Sequence, residues 1–505
     1  MRFRLLAPIA AALLVAVSSS FAAVAQEEGG GDAPKAEGHA RAADIHLPPL
    51  PADRTVRQSA VIGGRTISYD VTVGTIPVLD ATGKKIAEVV FTSYVVPGGP
   101  PDRPVTFAFN GGPGAASVFL NLGAIGPKRI QFGANGDAPS DAAVTVDNAN
   151  SWLDMTDLVF IDPVGTGFSR SLEDADATRR DFYSTETDVR YLSRIVYDWL
   201  VRNHRLRARK YVIGESYGGY RAPRIALQLQ TELGVGVNGI VMVSPYLDPA
   251  ASDDATALSP LPWVIDLPSM AAARLERDGQ LTAAAMAPIE AYARGQFATD
   301  LLAGRSDPAA RQRLVDRVTE LTGLPRTLVD HMDGRVDAYT FLREVHRDQR
   351  EIGSVYDSNV TAFDPFPSSG RRRSGDPILN ALIAPTTSAM VDFVTRVVGW
   401  DTDQRYNTLS NAVNEAWNRG TPKDSPVTDL RQAIANDPRM VVMIAHGYND
   451  LSCPYFASRL IIDQMPTFGQ ENRVHLSVYP GGHMFYSRPD SGAAFKNDAR
   501  AMYQG

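Results

Sequence analysis

A serine set between glycines at the end of a strand-like run is the sharpest chemical signal in this chain of 505 residues. Gly214-Glu215-Ser216-Tyr217-Gly218 follows the apolar run Tyr211–Ile213 and precedes a helical pattern starting near Ala222. This is G-x-S-x-G in the setting of a nucleophile elbow. The glycines let backbones pack where a side chain would clash, and the tight turn lifts the hydroxyl clear of the sheet. A serine hydroxyl is a poor nucleophile at neutral pH; it needs a base, and the base needs an orienting acid. Of eight histidines, only His446, His475 and His483 fall in the C-terminal block of strands. His483, in Gly481-Gly482-His483-Met484, sits on a loop just after the last strand, which suits a histidine reaching across to Ser216. His475 lies inside a strand and is expected to pack. His446 ends a strand ahead of Gly447-Tyr448-Asn449-Asp450, so Asp450 falls on the loop where the acid belongs. Asn110-Gly111-Gly112-Pro113-Gly114 follows the run Val105–Phe109, and its glycines free backbone N–H groups to face an anion. One such N–H together with that of Tyr217 would form an oxyanion hole. No Gly-Lys-Ser/Thr follows, so this is not a phosphate loop. Taken singly, each motif has a plainer reading: a turn, a capping aspartate, a glycine hairpin.

The elements that must position these residues alternate strand and helix. Ile67, Tyr69, Val71 and Val73 alternate with polar residues, Asp80-Ala81-Thr82-Gly83 is a turn, and Ala87 to Val96 is a second strand. These read as two antiparallel strands at a sheet edge. Val105–Phe109, Leu158–Ile161, Tyr211–Ile213, Ile240–Val243, Val441–Ala445 and Val474–Tyr479 read as buried strands. Val189, Leu192, Ile195 or Val196, and Trp199 recur at helical spacing, with Thr185 and Asp188 as a capping box. The series implies an α/β fold, a mostly parallel central sheet with helices on both faces. Between about Pro249 and Leu430 the strand signal fades. Asp307-Pro308 starts a helix with Leu314, Val318 and Leu321 on one face, and Met270 to Arg294 is alanine-rich and helical. This stretch, 249–430, is expected to be a mainly helical cap inserted between core segments 52–248 and 431–505.

Residues 1–25 read as a signal peptide: Arg2 and Arg4, an apolar run from Leu5 to Val17, then Ala23-Val24-Ala25 before Gln26. Residues 26–51 read as a flexible lead-in ending in Pro48-Pro49-Leu50-Pro51. No later stretch reads as long and apolar enough to span a membrane. An exported chain is expected, in a bacterial periplasm or secreted. Hydrophobic residues at 44% and charged residues at 21% exclude a disordered or collagen-like chain. A net charge of −7 argues against a nucleic-acid binder. The single cysteine, Cys453, excludes an intrachain disulfide and a cysteine-rich zinc site. Arg371-Arg372-Arg373, beside Ser, Gly and Pro, reads as a solvated loop.

Five motifs in order resemble the serine carboxypeptidases. They are Asn110-Gly111-Gly112-Pro113-Gly114; Ile161-Asp162-Pro163-Val164-Gly165-Thr166-Gly167-Phe168-Ser169; Gly214 to Gly219; His446 to Asp450; and Gly482-His483-Met484. The resemblance implies an α/β-hydrolase with Ser216 as nucleophile, His483 as base and Asp450 as its orienter. It implies the Gly112 and Tyr217 N–H groups in the oxyanion hole. It also implies that Asn110, the Gly111 backbone and Glu215 bind a substrate's C-terminal carboxylate, and it places the Cys453 thiol near the nucleophile. Cys453 is equally read as a small buried apolar residue. A carboxylate beside Glu215 would repel it unless one carries a proton, so an acidic optimum with peptides is expected. No cofactor, metal, nucleic acid or membrane span is expected, and peptide C-termini are the expected partners.

The departures touch recognition. Ala108 stands where the family commonly has tryptophan, Ala115-Ala116-Ser117 where it has Cys-Ser-Ser, Ala124 where a second acid is often found, and Arg170 where tyrosine is usual. They leave room for an esterase or acyltransferase on the same scaffold. A non-catalytic binding protein is disfavoured because every triad residue type is present, and a metalloenzyme because no H-E-x-x-H pair occurs.

Overall fold

Alternating burial of Tyr69, Val71 and Val73 marks the centre of a 15-residue strand, and nine strands continue the sheet around it. The computed structural model describes residues 47–131, 140, 143–247, 259–368, 375–420, 425–469 and 473–504. The expected signal peptide, the lead-in up to residue 46, the start of the insertion (248–258) and Arg371-Arg372-Arg373 lie outside the described residues.

In chain order the main strands are β1 (Arg54–Ile62), β2 (Arg65–Leu79), β3 (Lys85–Val95), β4 (Val105–Phe109), β5 (Asp157–Ile161), β6 (Lys210–Glu215), β7 (Gly239–Val243), β8 (Val441–Gly447) and β9 (Val474–Tyr479). They lie side by side as β1-β2-β3-β5-β4-β6-β7-β8-β9, and a short strand, Arg170–Ser171, pairs with β3. From β5 to β9 every neighbour is parallel; β1, β2 and β3 are antiparallel. This is the α/β-hydrolase architecture. The antiparallel edge has three strands where two were expected, because β1 carries polar residues on its solvent face and lacks a continuous apolar run. At the other edge, β9 is only half-buried and His475 is exposed; it does not pack. An edge strand needs apolar side chains on one face only.

Alternation in the central strands builds two cores. Phe107, Phe109, Val159, Ile161 and Val212 point to one face, where the helix Thr185–Arg202 packs Leu192 and Trp199 and the elbow helix Tyr217–Thr231 packs Ile225. Trp199 meets Phe107 edge-on at 5.5 Å. Ala108, Phe160 and Ile213 point to the other face, against Phe495 and Tyr503 of the C-terminal helix Pro489–Gln504. The Thr185–Arg202 helix is capped one residue earlier than expected. Ser184 accepts from the Thr187 N–H, and Asp188, freed from capping, is fully buried in an ion pair. The elbow helix starts at Tyr217, five residues before Ala222, because Gly218 and Gly219 are held helical by close backbone packing.

The stretch between β7 and β8 packs in two parts. Helices Leu261–Arg277, Ala283–Tyr292 and Pro308–Thr322 build a core of their own from Met270, Phe297, Leu314 and Val318. Asp307 caps the third, as expected. That core meets Tyr448, Leu451 and Tyr455, just past β8. Further on, Ala389, Met390, Phe393 and Val394 pack on the sheet beside Tyr94. Their helical run, Pro377–Val398, has mean hydropathy 1.3 and is long and apolar enough to cross a membrane by length and composition. This corrects the expectation that no later stretch would be; Pro385 and the polar run Thr386-Thr387-Ser388 obscure its continuity in the sequence.

Candidate active site

Neighbouring strands β4 and β6 pair Phe109 with Gly214, so the glycine loop after β4 and the serine turn after β6 leave the sheet side by side. Ligand sites in open α/β sheets form at these carboxyl ends. Ser216 has φ 60° and ψ −123°, a strained conformation for a residue with a side chain. Its N–H donates to Val243 O at 2.9 Å and its carbonyl accepts from the Gly219 N–H at 2.9 Å, so β7 and the elbow helix hold the turn in place. A Cβ on Gly214 would collide with the Gly218 backbone, and one on Gly218 with Phe109 O. A Cβ on Gly111 would collide with Tyr217 N, so the Gly111–Gly112 loop lies directly against that N–H group.

Asp450 is fully buried. Its Oδ2 accepts from His483 Nδ1 at 2.7 Å, and its Oδ1 accepts from the Ser452 and Cys453 N–H groups at 2.8 and 2.9 Å. Burial of His483 works against its charged form, but the adjoining Asp450 carboxylate, with a smaller contribution from the Cys453 thiol, holds the ring's pKa well above the ordinary histidine value. A segment of the insertion threads between the two loops. Val355 O accepts from Leu451 N at 2.9 Å, Tyr356 O from His483 N at 2.5 Å, and Asn449 O from Ser358 N at 3.2 Å. The Tyr356 ring stands edge-on to His483 at 5.1 Å. Behind it, Arg488 pairs with Glu276 and, at 2.7 Å, with Asp357, while Asn449 donates to Glu276 at 2.5 Å.

Glu215 is 3% exposed. Its Oε2 accepts from Asn110 Nδ2 at 2.5 Å and its Oε1 from the Tyr486 hydroxyl at 2.8 Å. Burial pushes its carboxyl above the usual range; the nearby His483, Tyr486 and Asn110 only partly oppose this. Asn110 Oδ1 accepts from Leu120 N at 2.9 Å, which sets the amide's orientation. Below the pair, Arg221 bonds to Asp188 at 2.5 Å and to Asn110 O at 2.7 Å, and lies over the Tyr217 ring at 5.2 Å. The Tyr217 hydroxyl meets Thr185 at 2.8 Å and accepts from the Trp417 indole at 3.2 Å.

Asn110, Gly111, Gly112, Glu215, Ser216, Tyr217, Cys453 and His483 line one cavity of about 300 Å³, and Asp450 lies behind His483. The structure thus brings Ser216, His483, Asp450, Asn110, Gly111, Gly112, Glu215, Tyr217 and Cys453 together, and leaves His475 on the far edge strand. Cys453 is buried and its thiol touches His483. The sequence reading did not find Tyr486, Tyr356, Arg419 or the Asp188–Arg221 pair. Tyr486, three residues after His483, carried the only local hint. Among the described residues no cluster of three or more His, Cys, Asp or Glu is placed to hold a metal.

Comparison with known proteins bears on this geometry. The family described as serine carboxypeptidase matches residues 90–480, more than half of the chain. The chain belongs to the serine carboxypeptidase family. It is 29% identical to serine carboxypeptidase-like 36 of Arabidopsis thaliana over 169 residues, 32% of each chain. It is 34% identical to the pheromone-processing carboxypeptidase KEX1 of Yarrowia lipolytica over 152 residues, 30% of this chain and 23% of that one. The chain thus spans a third or less of the length of these curated relatives. Among solved structures, the Kex1 prohormone-processing carboxypeptidase of Saccharomyces cerevisiae superposes with a TM-score of 0.55 at 13% identity, covering 86% of this chain and 91% of that one. At that identity the likeness concerns the fold. Against the pattern of the serine carboxypeptidases, Ala124 lacks the second acid. Next to it, the Tyr486 ring lies against Gly123 and supplies Glu215 with a hydrogen-bond donor.

Proposed function

We propose that this protein is a serine-type carboxypeptidase that removes C-terminal residues from peptides through an acyl-enzyme. The observation that carries the reading is the 2.7 Å Asp450–His483 bond beside a strained Ser216 in one cavity. His483 takes the Ser216 proton as Oγ attacks the scissile carbonyl carbon. The resulting oxyanion accepts from the Gly112 and Tyr217 N–H groups. His483 then protonates the leaving amine, the C–N bond breaks, and a water, deprotonated by the same ring, releases the acyl group. Asp450 keeps the imidazole in the required tautomer. Asn110, the Gly111 backbone and Glu215 receive the C-terminal carboxylate. Because Glu215 is buried, two carboxylates there need a shared proton, which favours acidic pH. Cys453 sits on the His483 side of the same cavity.

The reading includes export, to a bacterial periplasm or beyond, after cleavage at residue 25, with the apolar run Pro377–Val398 packed on the sheet rather than crossing a membrane, and no cofactor. It takes 52–248 and 431–505 as one core and 249–430 as its insertion. Ala108 and Ala124 favour a second reading, an esterase or acyltransferase using the same serine.

A mass-spectrometric time course on mixed peptides from pH 4 to 8 separates these readings. Wild type is expected to shorten peptides stepwise from the C-terminus, fastest at acidic pH, and to slow strongly on C-terminal amides. Ser216→Ala and His483→Ala are each expected to lower kcat by roughly 10⁴–10⁶-fold without unfolding. Intact peptides together with fluorophosphonate labelling of Ser216 would favour the esterase reading. Near-normal turnover by either variant would overturn the triad.

A further inference from the structure

The cavity that holds Ser216 has a guanidinium on its wall, and no carboxylate among the described residues answers it. Arg419 lines this cavity with Asn110, Glu215, Ser216 and His483. Its hydrogen bond goes to a neutral group: Nη2 donates to Asn414 Oδ1 at 3.2 Å. Asn414 donates its own Nδ2 to Pro113 O at 3.0 Å, and Ser410 N donates to Gly114 O at 2.8 Å. The guanidinium therefore hangs from the loop that carries Gly112, and the exposed Arg419 keeps donors that no other described residue takes up. Glu215 is not its partner: its two oxygens accept from Asn110 and Tyr486, and no ion pair joins it to Arg419. Other arginines near the site rest on acids: Arg221 on Asp188, Arg488 on Glu276 and Asp357. Among the described residues that line the cavity, Arg419 is the one with a permanent positive charge. A planar guanidinium meets a carboxylate through two parallel bonds.

We propose that Arg419 binds a carboxylate of the substrate and sets specificity at this site. The inference rests on reading the site as a peptidase. Two substrate carboxylates share the required chemistry: the C-terminal α-carboxylate and an acidic side chain on the residue that donates the scissile carbonyl. Trp417, two residues before Arg419, bonds to the Tyr217 hydroxyl, which ties this segment to the elbow helix as Asn414 ties it to the glycine loop. Loss of a partly exposed charge-assisted pair of this kind costs about tenfold in recognition.

The test uses N-blocked dipeptides ending Glu-Leu and Gln-Leu, each as free acid and as amide, with wild type, Arg419→Gln and Arg419→Lys. Two readouts run in parallel: kcat and KM for cleavage, and protection of Ser216 from a fluorophosphonate probe, which reports binding even of a peptide that is not cleaved. Arg419→Gln is expected to lower the acid-to-amide ratio or the Glu-to-Gln ratio about tenfold through KM, with Arg419→Lys restoring part of it. Loss of the first ratio identifies the α-carboxylate as the ligand, and loss of the second the acidic side chain. Ratios unchanged in Arg419→Gln, by cleavage and by protection alike, would overturn the proposal. Failure of wild type to cleave any of the four, with Ser216 labelled and protected, would instead sink the peptidase reading and leave Arg419 to be judged on protection.

Discussion

Glu215 and His483 place opposite demands on the proton. In the proposed mechanism His483 must be neutral to accept the Ser216 proton, so the Asp450 carboxylate that raises its pKa moves the acid limb of the rate to higher pH and works against the acidic optimum. The proposed proton shared between Glu215 and an incoming carboxylate sets an alkaline limb for peptide acids. The Tyr486 hydroxyl stabilises the Glu215 anion through a 2.8 Å bond, against the larger effect of burial. Tyr486→Phe removes that donor, so the Glu215 pKa rises further. The alkaline limb of kcat/KM for peptide acids is expected to move to higher pH, while the profile for an ester lacking a carboxylate stays in place. Equal movement of both profiles, or of neither, would show that Glu215 does not govern carboxylate binding. At this scale the meeting of Ser216, His483 and Asp450 was legible, because G-x-S-x-G and the loops after β8 and β9 carry these residues locally. The partners of Glu215 were legible in part: the family resemblance set Asn110, 105 residues away, at the same site, but nothing marked Tyr486, 271 residues away.

Among the elements, the insertion does more than cover the cavity. Residues 355–358 splint the Asp450 loop to the His483 loop by backbone bonds, and the fit is tight enough that a Cβ on Gly482 would collide with Tyr356 O. Arg488 anchors the splint by holding Glu276 and Asp357 together. Burial raises the Asp357 pKa, so its charged form depends on that guanidinium. Arg488→Gln leaves two carboxylates facing each other and is expected to destabilise by about 1–3 kcal/mol, given the half-exposed arginine. It is also expected to lower kcat more than it raises KM, since His483 and Asp450 lose their common support. Adding Glu276→Gln should recover part of the stability. Denaturant titration and steady-state kinetics of the single and double variants read both effects, and a double variant no more stable than Arg488→Gln would count against the pairing. The stretch between β7 and β8 reads in the sequence as a loss of strand signal, and the structure fills it mainly with helices. Its bond to the triad was not legible there, because residues 355–358 have no apolar periodicity to mark them.

Over the whole molecule, buried titratable groups tie stability to pH. Asp162 accepts from Ser117 N and the Tyr406 hydroxyl, yet burial pushes its carboxyl up to about 7. The folded chain then keeps a proton that the unfolded chain has released, so this group's contribution to stability falls as pH rises from about 4 to 7, by at most about 1.4 kcal/mol per pH unit. Burial raises Asp188 and Glu215 in the same direction. His446 acts oppositely. Burial, then the neighbouring His483, lowers it to about 3, so stability rises with pH from about 3 to 6.5. Asp162→Asn removes one of these groups. Its stability relative to wild type is expected to improve steadily between pH 4 and 7 and to level off above. Urea unfolding of both proteins at pH 5, 6 and 7 measures this; a pH-independent difference would show that Asp162 is ionised in the fold.

What the sequence determined by itself was what short stretches of backbone dictate. Gly214, Gly218 and Gly111 stand where any side chain would strike a neighbouring main chain, and the apolar runs after which they come could only be buried strands. Such steric demands act within a few residues, so their residue types betray them. The tertiary structure decided which distant polar groups meet. Arg221 joins Asp188 across 33 residues, Arg488 joins Glu276 across 212, and the Tyr486 hydroxyl takes its place beside Glu215 across 271. A buried charge must find a partner, but nothing in its own neighbourhood says which one; only the closure of the sheet and the docking of the insertion bring the two together.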